Sequence, residues 1–331
     1  MAVLATLLLR PHEPVYQGKP LSDWFQQSRT LEPNRHEGFR AIRAIGPKSV
    51  PFLLSELRKQ NSLFQRAYRA AWPVLPAAVQ KRIPQPRPRD DCLSLWISEL
   101  LSASASDPQL VTALTDSDTD VRLAAIWALM HTPSSRHTMV VQPIAELLKD
   151  AQADVRVSAA LTLGQIASNR VEIVPVLIEG LQGRGLRSCV VENIKFITPD
   201  VLGRLGSKAQ AAVPELRKLL KHPEVSARVT AAIALWQIER DTNSVLVLTA
   251  ELETVSKRGN PADLWAYDKA LKALAEFGPI SEAASPILVD IVESPPRSWP
   301  DFASKHLVQK AREALAKIDP EAAAKLEPEA K

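Results

Sequence analysis

Two stretches decide the fold: Val121-Arg122-Leu-Ala-Ala125-Ile126-Trp-Ala-Leu129 and Val155-Arg156-Val-Ser-Ala159-Ala160-Leu-Thr-Leu163. A third copy follows at Arg228-Val-Thr-Ala231-Ala232-Ile-Ala-Leu235. Counted from each arginine, small or apolar residues recur at the third, fourth and seventh positions, and Ile166 and Ile238 extend the series to the tenth. That is the stripe of a helix with one buried face. Alanine at the third position lets a neighbouring helix approach closely, so Ala125, Ala159 and Ala231 are expected to be buried.

Working outward, the same frame starts again at Arg187, Tyr267 and Val308, and an earlier, weaker copy runs from Gly38 through Ala41, Ile42 and Ile45. From 122 onward the starts are 34, 31, 41, 39 and 41 residues apart. A period in this range predicts stacked helix pairs. The second helix of each pair is marked by proline in its first turn, as at Val50-Pro51, Gln142-Pro143, Val174-Pro175, Val213-Pro214 and Ser285-Pro286. Proline is tolerated there because its missing N–H had no partner inside the helix. Turns such as Asp116-Ser-Asp118-Thr-Asp120 and Asp150-Ala-Gln-Ala-Asp154 supply carboxylates that cap the next helix. The fold class is therefore all-α, a right-handed α-solenoid of about seven helix pairs. Ser22-Asp23 opens a further helix carrying Trp24 and Phe25, which caps the open end of the stack.

Composition agrees. Of 331 residues 46% are apolar, so a core can be buried, while 5% aromatics and 11 glycines speak against sandwiches and barrels. Two cysteines exclude a disulfide framework and a cysteine-built zinc site. The net charge of +4 conceals an asymmetry: residues 1–90 hold 15 Lys/Arg against 6 Asp/Glu, residues 91–250 hold 15 against 17, and residues 251–331 hold 11 against 14. Five segments follow: an apolar start and proline-rich tether (1–20), a capping helix and first repeats (21–80), a basic proline-rich loop (81–90), the main solenoid (91–320) and a charged tail (321–331). Ala2–Leu9 is apolar but too short to span a bilayer. It reads either as a frayed helix or as the end of a longer membrane anchor. Localisation is cytoplasmic on the first reading and membrane-anchored on the second.

The Asp-Val-Arg entries at 120–122 and 154–156, the paired alanines and Leu163-Gly164 resemble HEAT repeats, armadillo-like helical units. The short turns and the Ala-Ala pattern resemble the phycobilin-lyase-type variety, and Val15-Tyr-Gln-Gly-Lys-Pro-Leu-Ser-Asp-Trp24-Phe25 resembles the opening of bacterial HEAT repeat domain-containing proteins. The resemblance covers residues 36–320. It implies that Asp120, Arg122, Asp154, Arg156 and Arg228 form a ladder between neighbouring repeats and serve stacking. The frame at 187 lacks the Asp-Val entry, which leaves its ladder contact open.

No catalytic, cofactor-binding or metal-binding residues emerge. Only His12-Glu13 and His36-Glu37 pair a histidine with a glutamate, too few ligands for a di-iron site. Neither cysteine stands at motif spacing from a histidine, and there is no Gly-x-Ser-x-Gly elbow or phosphate loop. Trp72, Trp96, Trp127, Trp236, Trp265 and Trp299 read as core residues rather than as a nucleic-acid groove. The function expected is a non-catalytic scaffold, monomeric, that binds another protein on its concave face. The alternative is a nucleic-acid-binding or HEAT-like enzyme, resembling a DNA glycosylase or a bilin lyase. Lys81, Arg82, Arg87 and Arg89, separated by Pro84, Pro86 and Pro88, are the candidate ionic contact to an acidic partner or a membrane surface.

Overall fold

A computed structural model describes residues 13–30, 34–131, 137–167, 169–183, 185–258, 263–295 and 301–326. The apolar start Ala2–Leu9, His12, Trp299 and the end of the charged tail lie outside these. The chain divides into two compact units, Met1–Ala167 with Gly185–Val190, and Ser168–Arg184 with Val191–Lys331.

The first unit opens with a hairpin, β1 (Val15–Tyr16) against β2 (Lys19–Pro20), in the stretch expected to be a plain tether. Gln17 and Gly18 form its turn, both with positive φ, which matches the twist of paired strands. The hairpin leads into α1 (Leu21–Ser28), the expected capping helix. Leu21, Trp24 and Phe25 are buried, and the Trp24 indole donates to the Tyr16 carbonyl at 3.0 Å. The remaining helices are α2 (Asn34–Ile45), α3 (Val50–Asn61), α4 (Leu63–Ala71), α5 (Ala77–Gln80), α6 (Leu93–Ser104), α7 (Asp107–Ala113), α8 (Thr119–Met130), α9 (His137–Glu146) and α10 (Ala153–Ile166). In space α1, α2, α6, α8 and α10 form one row of neighbours, while α9 meets α7 in a second row. This is the layered helix-pair stack that the repeat predicts.

The second unit contains α11 (Val174–Leu181), most of α12 (Ser188–Leu205), α13 (Val213–Leu219), α14 (Val225–Glu239), α15 (Asn243–Arg258), α16 (Leu264–Phe277), α17 (Ser285–Glu293), α18 (Asp301–Ile318) and α19 (Pro320–Lys325). Here α14, α16 and α18 form the first row, and α15 meets α17 in the second. The predicted tail thus begins with a helix, capped where the Asp319 carboxylate accepts the Ala322 N–H at 2.9 Å. Proline stands in the first turn of α3, α11, α13 and α17 as expected, but Pro143 lies inside α9 and Pro199 inside α12.

The one-faced stripe read from the sequence is too narrow for the central helices. In α8 every residue from Asp120 to Leu129 except Arg122 is buried, and α10 and α14 are nearly as enclosed. A helix with row neighbours on both sides and its own pair behind it has little solvent face left. Buried hydroxyls follow from this: Thr230 turns back to the Ser226 carbonyl at 2.9 Å, which satisfies it within its own helix. Ala125, Ala159 and Ala231 are wholly buried. Trp127 and Trp236 are core residues too, but Trp265 is 47% exposed, contrary to the sequence reading. Its ring lies under the Lys269 ammonium, 4.6 Å from the ring centre, so half of it stays at the surface.

Gly38 marks the closest backbone approach, between α1 and α2. A Cβ there would meet the Ser28 nitrogen at 2.5 Å and the Trp24 carbonyl oxygen at 2.7 Å. Gly38→Ala is therefore predicted to cost about 2 kcal/mol by pushing the capping helix outward, measured by chemical denaturation. Ala159→Glu, which forces a charge between packed helices, is predicted to cost about 4 kcal/mol. An unchanged melting temperature for Ala159→Glu would contradict the register of the stack.

Candidate functional site

The aspartate-rich turns repeat one local device. The Asp116 carboxylate accepts the Asp118 N–H at 2.8 Å, and Asp118 in turn accepts the Asp120 N–H at 2.8 Å, which caps α8. In the next repeat Asp150 accepts the Gln152 N–H at 2.8 Å. In the second unit a ring nitrogen of His222 accepts the Glu224 N–H at 3.2 Å. These side chains substitute for the partners that helix N-termini lack.

An arginine then closes each turn from behind. Arg122 Nη1 donates to the carbonyls of Asp116 and Ser117 at 2.8 and 3.2 Å. Arg156 does the same to Asp150 and Ala151 at 2.7 and 3.1 Å, and Arg228 to His222 and Pro223 at 2.7 and 2.8 Å. The rest of the guanidinium reaches the following repeat. Arg122 pairs with Asp150 at 2.9 Å, and Arg228 holds Glu251 with two bonds of 2.5 and 2.6 Å. The resemblance implies an Asp–Arg ladder; in the second unit the carboxylate is a glutamate on α15 instead. The Glu251 hydrogen bonds outweigh partial burial and hold the Arg228 pKa above the ordinary value.

Arg187 departs from this pattern. It lacks the Asp-Val entry, yet the structure gives it two carboxylates: Nη1 donates to Asp120 at 2.5 Å and Nε to Asp154 at 2.5 Å, while its backbone N–H donates to Asp154 at 3.0 Å. Asp120 is 1% exposed, and its second oxygen accepts from Asn61 at 2.8 Å. One guanidinium therefore joins the turns before α8 and α10 to the start of α12. Burial alone would lower the Arg187 pKa, but the charges and hydrogen bonds of Asp120 and Asp154 raise it on balance. Beside it, burial pushes the Asp116 carboxyl up. The Arg58 hydrogen bond, the Asp118 N–H and the charges of Arg58 and Arg122 outweigh that and hold it below 3.8.

Arg187 and Asp154 line an open groove of about 690 Å³ in the first unit, with Arg58, Asn61, Arg66, Arg89, Asp118 and Gln152 among its walls. Sequence reasoning missed Arg58, Asn61 and Arg187 as groove residues. Only Arg187 carried a signal, its register with Arg122 and Arg156.

The basic loop is extended, but its four cations do not act alike. Lys81, Arg82 and Arg87 are exposed and make no ion pair among the described residues. Arg89 does not project freely into solvent as expected: it turns back to Asp91 at 3.0 Å and to Asp120 at 3.4 Å. The reason is the clamp next to it, where the Gln60 amide binds both the N–H and the C=O of Asp90 at 2.9 and 3.0 Å. Among the described residues no three His, Cys, Asp or Glu side chains are grouped to hold a metal ion.

The helix pairs, the capped turns and the arginines behind them coincide with a comparison: the family model for HEAT repeats matches residues 108–187. This stretch is a run of HEAT repeats. No curated protein sequence matches the chain. Among the described residues no helix is long and apolar enough to cross a membrane.

Arg187→Met should lower the free energy of unfolding by about 3 kcal/mol, because it leaves buried Asp120 with only the longer 3.4 Å contact to Arg89. Arg66→Met, on the same groove but exposed, should change it by less than about 0.5 kcal/mol. Urea denaturation of both variants checks the contrast.

Proposed function

We propose that the protein is a non-catalytic scaffold that binds another protein, with the groove beside the HEAT turns as its docking surface. Stacked helix pairs present long surfaces whose lining can vary without disturbing the core, and this suits recognition of an extended partner segment. The observation that carries the reading is the groove's charged lining, in which Arg187 is tied to Asp154 at 2.5 Å and so is held in place by the repeats themselves. What the groove offers is fixed charge of both signs: Arg58 and Arg66 on one wall, Asp118 on another. Such a surface selects a partner by complementary charge and rejects like charge.

Ser117 and Gln152 are exposed groove residues outside the ladder. The double variant Ser117→Arg/Gln152→Arg should keep its melting temperature and lose specific partners about tenfold in quantitative affinity capture from native lysate. Capture of the same proteins in the same amounts by both forms would overturn the groove as the docking surface.

A further inference from the structure

Helix α4 is docked the wrong way round for a soluble repeat protein. None of its residues is buried. Its polar side faces the body of the unit, where Arg69 donates to the Gln60 carbonyl at 2.8 Å. The opposite side carries Leu63, 81% exposed, and Phe64, 71% exposed. Phe64 stacks on Tyr68 with ring centres 5.8 Å apart, and Tyr68 meets Trp72 edge to face at 5.9 Å. This aromatic row runs along the helix and ends at Val74, 81% exposed. The Tyr68 hydroxyl donates to the Pro84 carbonyl, and Gln80 donates to the carbonyls of Trp72 and Leu75 at 2.9 and 3.0 Å. The proline-rich segment is thereby tied to the helix at Pro84, which lies three residues from Lys81 and from Arg87 in the chain.

We propose that α4 and the basic segment behind it form a docking surface for an anionic lipid bilayer. Two features select a bilayer over a peptide. First, Phe64 and Val74 protrude from the surface rather than line a cleft, with Leu63 exposed beside them at the rim of the groove, the arrangement that inserts into a headgroup layer. Tyr68 and Trp72, with an apolar ring and a polar edge, are suited to that layer. Second, residues 58–89 contain eight Lys/Arg and no Asp/Glu, a one-signed field complementary to anionic headgroups. Among the described residues the three exposed cations Lys81, Arg82 and Arg87 have no ion pair to give up. This surface meets the groove at Leu63, and its test leaves the groove residues untouched.

The test is co-sedimentation of the full chain with phosphatidylcholine vesicles, with and without phosphatidylserine, at low and high salt. The wild-type protein should prefer the anionic vesicles by about tenfold and lose that preference at high salt. Phe64→Ser/Val74→Ser and Lys81→Gln/Arg82→Gln/Arg87→Gln should each weaken binding about tenfold. All five side chains are exposed, so both variants should melt as the wild type does. All forms keep residues 1–12, so any difference between them belongs to 63–87. Hydrogen exchange on the wild type gives a reading that needs no variant: amides of 63–72 should slow when anionic vesicles are added. Equal sedimentation of wild type and variants overturns the proposal, as does unchanged exchange in 63–72. Binding to duplex DNA or to polyglutamate without binding to vesicles also overturns it and transfers the surface to a nucleic acid or an acidic protein.

Discussion

A single guanidinium holds the first unit in register. Arg187 lies between Asp120 and Asp154, two carboxylates whose own repeats begin 34 residues apart, and it draws the start of α12 to both. A buried charge is costly without a partner, and Asp120 and Asp154 share Arg187, with Arg89 at 3.4 Å from Asp120, only if consecutive turns stack in one arrangement. Apolar helix faces alone would not impose this. Alanine-lined helices can slide along one another with little penalty, whereas a displacement that separates Arg187 from Asp120 leaves that buried carboxylate with only the longer contact to Arg89. The ion pairs thus serve register, and the alanine faces supply most of the driving force through burial.

Much of this was legible before any coordinates. The arginine frame, the paired alanines and the first-turn prolines located the repeats, because each reports a local constraint with a fixed period. Three things were not legible. Arg187 lacks the Asp-Val entry, and its partners lie 67 and 33 residues upstream, so only the stacked geometry brings them together. Arg89 read as a solvated cation because nothing local shows that Gln60 clamps Asp90 beside it. Trp265 read as core because helical spacing shows that a residue recurs on a face, not that the face is covered.

The segment from 62 to 90 stands apart from the repeat logic. Elsewhere an apolar helix face is covered by a row neighbour; α4 has its apolar face outward and its arginine inward. The Tyr68–Pro84 contact and the Gln80 bonds hold this segment in a defined shape, so exposure of Leu63 and Phe64 belongs to a folded element. The HEAT repeats provide a rigid frame, with one charged groove at the turns and one apolar, basic projection beside it.

The most direct measurement is a double-mutant cycle on the pair that joins the turns. Asp120→Asn, Arg187→Met and the double variant would be compared with the wild type by urea denaturation. If Arg187 fixes the register through Asp120, the two losses overlap, and the coupling energy should be about 2 kcal/mol. Losses that simply add, within about 0.5 kcal/mol, would contradict the account and leave helix packing as the only source of register.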